Sequence, residues 1–95
     1  MTTSDVGRVA RFRQNEALRA FAEVLPGPFA FQCECSNGRC RELVLVEGAH
    51  VHAVRTNPRR LVMANGHEGN QERAVVQYDG YVIVELDDGW QARAR

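Results

Sequence analysis

An α+β fold is predicted by three features of the sequence. An amphipathic segment precedes all of the strand-like runs, those runs are short, and turn residues separate them. The expected architecture is therefore an N-terminal helix packed on a small, mostly antiparallel sheet. At 95 residues the chain has the length of one domain, near the size at which burial on folding only modestly outweighs the entropy that is lost.

The N-terminal helix is predicted from about Val9 to Leu25. Apolar residues at the spacing i, i+3, i+4, i+7 form a stripe that consists of Leu18, Phe21, Ala22 and Leu25. We expect this stripe to cover the sheet, and the run from Pro26 to Pro28 to end the helix. Val9 and Phe12 lie off the stripe, where they could serve a dimer contact.

The first two strands follow the helix. Residues 29–35 alternate, so that one face is predicted to hold Phe29, Phe31, Cys33 and Cys35. The turn signal at residues 36–38 can then return Cys40 towards the first two sulfurs. Residues 42–46 have apolar side chains on both faces, which is typical of a central strand.

The second half of the chain is predicted to hold a short helix and three further strands. Residues 47–57 are ambiguous: Val51 and Val54 suit a short helix that stops before Pro58, whereas His50 and His52 alternate as they would in a strand. The helix is favoured, with His50 and His52 exposed on it. A short strand at residues 61–64 runs into the Asn65–Gly66 turn. Residues 73–86 read as a hairpin around Asp79–Gly80, with one face shared by Val75, Val82, Val84 and Leu86.

Composition and charge limit the number of domains and the classes of partner that are expected. We expect one domain over residues 9–90, with a flexible N-terminus at 1–8 and a flexible tail at 91–95. Twelve arginines balance twelve acidic residues, so that no global field favours nucleic acid. No apolar run approaches the roughly 20 residues that span a bilayer, and no signal peptide is recognised. A cytoplasmic protein with an unidentified protein partner is expected.

The cysteines predict a metal site, most simply for zinc. All three lie within eight residues, as Cys33, Cys35 and Cys40, and His67 offers a fourth ligand. Free thiols and a Cys35–Cys40 disulfide are the alternatives that spacing alone leaves open. His67 is preferred to the other histidines because Gly66 allows close backbone approach and Glu68 could hydrogen-bond the imidazole. Flanking arginines at positions 39 and 41 could neutralise the thiolates.

The chain also resembles a family of short uncharacterised proteins from high-GC bacteria. The resemblance covers about residues 15–85 and depends on the CEC run with a cysteine five positions later, the VR before a proline, the GHE and the terminal YVIVE. It implies that Cys33, Cys35, Cys40 and His67 act as a unit. The chain departs from the family at His50–Val51–His52, where an acidic residue and a tyrosine are usual.

The favoured functional hypothesis is a structural Cys3His zinc site in a non-catalytic interaction or regulatory module. Four protein ligands leave no position for water, and no second dense polar constellation stands out in the sequence. A thiol-based redox or zinc sensor is the alternative, since clustered thiols can release zinc and oxidise. A zinc hydrolase with Glu68 as general base ranks third, because three thiolates make zinc a poor Lewis acid.

Overall fold

Helices and short antiparallel strands alternate along the chain in a computed structural model that describes residues 3–57, 59–69 and 72–86. The elements are α1 Thr3–Glu16, α2 Arg19–Ala22, β1 Phe29–Gln32, β2 Leu43–Val46, α3 Gly48–Arg55, β3 Arg60–Ala64, β4 Glu72–Gln77 and β5 Tyr81–Leu86. This order confirms the α+β class. No helix in these ranges is long and apolar enough to cross a membrane.

The strands form two antiparallel sheets rather than one. β1 pairs with β2, and the second sheet has the order β3-β5-β4. β5 is central in its sheet, and all six of its residues are buried. The sheets are joined beyond the end of β1, where the Glu34 N–H donates to the Val62 carbonyl at 2.9 Å. The small antiparallel sheet that the sequence predicts is therefore divided at the segment that holds Cys33 and Cys35.

The predicted hairpin and the middle helix are confirmed. β4 and β5 flank the Asp79–Gly80 turn, where Gly80 has a φ of 88° that suits glycine. A register shift between Ala74 and Val76 places a bulge at Val75. α3 occupies the middle of the ambiguous segment. The last part of the predicted domain, residues 87–90, and the tail at 91–95 lie outside the described residues.

The N-terminal helix differs from its prediction in both position and length. It begins at Thr3, six residues before the expected start, and ends at Glu16. The chain then turns at residues 17 and 18 and forms only the short helix α2. The stripe from Leu18 to Leu25 therefore does not lie on one continuous helix.

The predicted apolar stripe is also not the face that packs on the sheets. Phe21 and Leu25 are 54% and 52% exposed, and only Ala22 of the stripe is fully buried. Phe12 is instead buried in the core at 1% exposure, so the suggestion that it serves a dimer contact is wrong. The buried stripe of α1 has the same helical spacing and consists of Arg8, Arg11, Phe12 and Asn15.

The prediction of a central position for β2 is wrong. Among the described residues β2 pairs only with β1, so it lies at the edge of its sheet. Val44 and Val46 face the core, whereas Leu43 and Leu45 are 61% and 64% exposed. Apolar residues on both faces therefore mark an edge strand with an exposed apolar surface rather than a strand that is covered on both sides.

Candidate metal centre

The three cysteines lie in and around the loop that joins β1 to β2. Beyond Gln32 the chain stays close to β2, since the Cys33 N–H donates to the Glu42 carbonyl at 3.0 Å. A turn follows in which the Cys40 N–H donates to the Asn37 carbonyl at 3.1 Å. The turn reverses the chain, as its Ser-Asn-Gly sequence predicts, and returns Cys40 to the other two thiols.

His67 reaches the same place from the second sheet. β3 ends at Ala64, and Gly66 adopts a φ of 87° in the turn that follows. The His67 N–H donates to the Ala64 carbonyl at 3.1 Å and closes this turn. Glycine is required there because a side chain is strained at this positive φ. The Asn65–Gly66 turn therefore delivers His67 to the cysteines, as the sequence predicts.

The four side chains form one compact cluster. One ligand atom from each of Cys33, Cys35, Cys40 and His67 lies within 4.8 Å of all the others. His67 Nδ1 is 3.5 Å from Cys33 Sγ and 3.8 Å from Cys40 Sγ. The three cysteines are buried and free of disulfide bonds, and His67 is partly exposed. The cluster could hold a metal ion, whereas the Cys35–Cys40 disulfide considered from the sequence is not formed.

The cysteines differ in acidity because their surroundings differ. Burial raises the pKa of Cys33 to about 12, although the backbone N–H of Ala64 lies 3.2 Å from its sulfur. Burial also acts to raise the pKa of Cys35, but hydrogen bonds from His67, Asn37 and Arg11 outweigh it and lower this pKa to about 7. Since metals bind thiolates, a cation would have to displace the proton of Cys33.

A residue that the sequence did not indicate lies beside the outer nitrogen of the His67 imidazole. The imidazole Nδ1 faces the sulfurs, and its Nε2 lies 3.8 Å from Glu42 Oε1. At this separation the Glu42 carboxylate makes no hydrogen bond to the imidazole, and Glu42 is itself exposed. Glu68, which was expected to hydrogen-bond the imidazole, instead accepts a hydrogen bond from the Gly66 N–H at 3.0 Å.

Arg11 is the principal residue of the site that the sequence analysis missed. Its guanidinium donates to the carbonyls of Cys33, Cys35 and Asn37, and it lies 3.9 Å from Cys35 Sγ. It thereby fixes the backbone of the cysteine loop and places positive charge beside a sulfur. Arg39 and Arg41, which were expected to supply this charge, are exposed. The only available signal was the helical spacing of Arg11 with Arg8, Phe12 and Asn15.

A buried carboxylate anchors the same loop from its other side. Glu34 lies between the first two cysteines and is fully buried. It accepts hydrogen bonds from Arg55 at 2.6 Å, from Asn15 Nδ2 at 2.9 Å and from the Val62 N–H at 2.9 Å. Arg55 is 1% exposed and lies over the Phe12 ring at 4.4 Å. These contacts tie the cysteine loop to α1, α3 and β3 at once.

The remaining histidines do not join the cluster. His52 is exposed, as predicted. His50 is not: its ring stacks on Tyr78 at 3.7 Å between centroids, and its Nδ1 hydrogen-bonds the Tyr81 hydroxyl. Burial raises the pKa of this Tyr81 hydroxyl. The His50 side chain therefore packs α3 against the β4–β5 hairpin instead of lying free on the helix surface.

Comparison of the chain with known protein families, with curated proteins and with solved structures finds no match. The resemblance to the high-GC bacterial family therefore stays a prediction. What the structure establishes is the convergence of Cys33, Cys35, Cys40 and His67 from two sheets into one cluster that could bind a metal.

Proposed function

We propose that this chain is a small zinc-binding protein in which a structural Cys3His site stabilises a non-catalytic interaction or regulatory module. The observation that carries the proposal is the approach of four ligand atoms to within 4.8 Å of one another. These atoms come from segments far apart in the sequence, 27 residues in the case of Cys40 and His67. A bound ion would therefore hold the β1–β2 loop against the turn after β3.

The distances within the cluster fit zinc coordination. With Zn–S and Zn–N bonds of about 2.3 and 2.0 Å, a tetrahedral site places sulfur and nitrogen about 3.5 Å apart. The two sulfur-to-Nδ1 distances are 3.5 and 3.8 Å. Zinc suits this mixture of thiolates and imidazole. Its net charge of about minus one with three thiolates is complemented by the guanidinium of Arg11.

The donor set favours a structural role over hydrolysis. Four protein ligands fill a tetrahedral zinc ion and leave no position at which a water could be activated. Glu68, the general base of the hydrolase hypothesis, bonds the Gly66 backbone instead of facing an open site. Interaction with another protein is supported by five large apolar side chains that are more than half exposed, Phe21, Val24, Leu25, Leu43 and Leu45.

A cytoplasmic location belongs to the same proposal. The three cysteines are free in the structure, and thiols stay available to metal in a reducing compartment.

Burial of the cysteines supports stable retention of an ion. Cys33 and Cys35 are only 1% and 2% exposed, which protects a bound ion from competing ligands. The low exposure also slows exchange with solutes.

Metal content tests the proposal directly. The protein is purified under reducing conditions, loaded with zinc, desalted and measured by elemental analysis and native mass spectrometry. We expect one zinc per chain. Folded protein that retains much less than one zinc, or that retains iron in preference when both metals are offered, overturns the assignment.

Matched substitutions locate the ligands. His67→Ala and Cys40→Ser remove one donor each and should weaken zinc binding by at least about tenfold, which is the lower range for loss of a metal-site contact. His52→Ala is the control, since His52 is exposed on α3 and outside the cluster. Equal zinc affinity in His67→Ala and His52→Ala would exclude His67 as a ligand.

A redox or zinc sensor is the second candidate, favoured by the pKa of about 7 at Cys35. A thiol of this acidity is about half thiolate at pH 7 and would react readily if it were exposed. Its burial opposes rapid oxidation. Peroxide added to the zinc-loaded protein distinguishes the roles: zinc release with disulfide formation supports the sensor, and retained zinc supports the structural site.

A further inference from the structure

The outer edge of β2 has an unusual combination of exposed apolar and charged side chains. Leu43 and Leu45 are 61% and 64% exposed, and Arg41 and Glu47 on either side of them are exposed as well. Leu43 and Leu45 share one face of β2, and Arg41 and Glu47 lie in the segments just beyond its two ends, Glu47 with extended backbone as the residue before α3. Val44 and Val46 on the other face are buried in the core.

The backbone of β2 is also available on this side. In an antiparallel ladder the N–H and C=O of one residue point to the same side, and successive residues alternate. The Glu42 carbonyl accepts from Cys33, so that Glu42, Val44 and Val46 point towards β1. Leu43 and Leu45 therefore point their backbone groups away from β1. Among the described residues no other strand lies along that edge.

We propose that this edge pairs antiparallel with β2 of a second copy of the chain, in the register that places Val44 opposite Val44. Such pairing about a two-fold axis joins the two-stranded sheets into one sheet of four strands. Leu43 of each copy then hydrogen-bonds Leu45 of the other. An apolar edge strand that is neither bulged nor covered is otherwise a site of uncontrolled association.

The register follows from the sequence of β2 and its flanks. Leu43 and Leu45 can form ladder hydrogen bonds with the second copy only where they lie opposite residues whose backbone N–H and C=O groups also point away from β1. The register centred on Leu43 places Arg41 opposite Leu45, and the register centred on Leu45 places Leu43 opposite Glu47. Only the register centred on Val44 places both leucines of each copy opposite leucines, and it brings Arg41 opposite Glu47 just beyond each end of the paired strands.

Charge complementarity therefore selects a second copy as the occupant. The two Arg41–Glu47 pairs are related by the two-fold axis, so the strand is complementary to itself. Opposite charges directly across a pair of strands stabilise the pairing, and like charges destabilise it. The paired segment contains none of the four cluster residues, but Arg41 follows Cys40 and donates to its carbonyl at 3.2 Å, so the zinc content of each variant is measured beside its dissociation constant.

Charge reversal provides the experiment. Arg41→Glu leaves two glutamates facing each other at each end of the interface, and Glu47→Arg leaves two arginines. Each variant alone should raise the dimer dissociation constant by about tenfold or more. A mixture of the two restores both opposite-charge pairs, so heterodimers should form in preference to either homodimer. Sedimentation measures the constants, and native mass spectrometry identifies the heterodimer by mass.

Control variants separate this edge from other exposed surface. Arg39→Glu changes the same charge two residues away, outside the paired strand, and should leave the dissociation constant unchanged. Leu45→Lys should abolish the dimer, whereas Val24→Lys, at a residue 77% exposed on another segment, should not. Wild-type protein that stays monomeric at all accessible concentrations overturns the proposal. So does a dimer that the two charge reversals leave intact, or a mixture that forms no heterodimer.

Discussion

Replacement of Glu34 by glutamine is expected to destabilise the protein strongly, although the side chain keeps its shape. The carboxylate is fully buried and accepts hydrogen bonds from Arg55, Asn15 and the Val62 N–H. Glutamine offers one oxygen in place of two, so at least one of these donors meets an NH2 group. Arg55 also loses its closest negative partner while it remains 1% exposed.

The magnitude follows from the contacts of Arg55. Removal of one partner from a buried ion pair costs about 3–5 kcal/mol. The lower end applies here because Glu16 Oε1 lies 2.8 Å from Arg55 Nε and keeps part of the compensation. We therefore expect a loss of about 3 kcal/mol in the free energy of unfolding, a large share of the roughly 5–15 kcal/mol of a typical domain.

Urea unfolding of the zinc-loaded and chelator-treated protein measures this loss. A 3 kcal/mol change should lower the urea midpoint by roughly 1–3 M. Glu68→Gln is the matched control and should change stability by no more than about 0.5 kcal/mol, since Glu68 is outside the buried network. A Glu34→Gln loss below about 1 kcal/mol would refute the importance assigned to this carboxylate.

A double-mutant cycle tests the pairing itself. Arg55→Met alone leaves the buried Glu34 carboxylate without its guanidinium and should also destabilise the protein by about 3 kcal/mol. Glu34→Leu combined with Arg55→Met replaces both charges by apolar groups, which often costs little. The double variant should therefore be clearly more stable than the sum of the single changes. Additive losses would show that the two residues are not coupled.

Two further predictions concern Arg11 and Glu85. Arg11→Met should weaken zinc binding by at least about tenfold, because three backbone carbonyls of the cysteine loop lose a charged donor. Competition with a chelator measures the zinc affinity of this variant and of the control Arg13→Met. Equal affinities of the two variants would contradict the prediction. Hydrogen bonding from Arg60, with the charges of Arg73 and Arg59, lowers the pKa of Glu85 below its ordinary 4.5. The unfolded state then binds the proton more tightly, so stability from Glu85 is present above the ordinary pKa and declines as pH falls below it. In the metal-free protein, the urea midpoint of Glu85→Gln should fall less as the pH is lowered than the midpoint of the wild type. Parallel dependences of the two midpoints on pH would refute the effect.

The metal cluster could be predicted from the sequence to a large extent because its chemistry is local. Cys33, Cys35 and Cys40 lie on either side of a turn whose residues are themselves diagnostic, so their approach can be inferred from neighbouring sequence, although Arg11 and Glu34 tie this loop to distant segments. His67 follows a glycine turn at the end of a recognisable strand.

The packing of the N-terminal helix was predicted wrongly for a physical reason. Periodicity finds a buried face only when that face is apolar, and the buried face of α1 contains Arg8, Arg11 and Asn15. Each of these polar groups is satisfied by carbonyls or carboxylates of segments that follow much later in the chain. Sequence patterns do not show those partners. Periodicity therefore favours the apolar stripe from Leu18 to Leu25 as the buried face, although most of it is not buried.

The sequence by itself determined the α+β class, the β4–β5 hairpin, α3 and the four residues of the candidate metal centre. The hairpin and α3 depend on residues close together in the chain, where turn chemistry and side-chain alternation act directly. The metal ligands are recognisable by residue type, although His67 lies 27 residues beyond Cys40. Tertiary structure decided the division into two sheets, the exposed edge of β2, and the burial of Glu34 and Arg55. Those features depend on which distant groups meet, since a buried charge is stable only where folding supplies its partner.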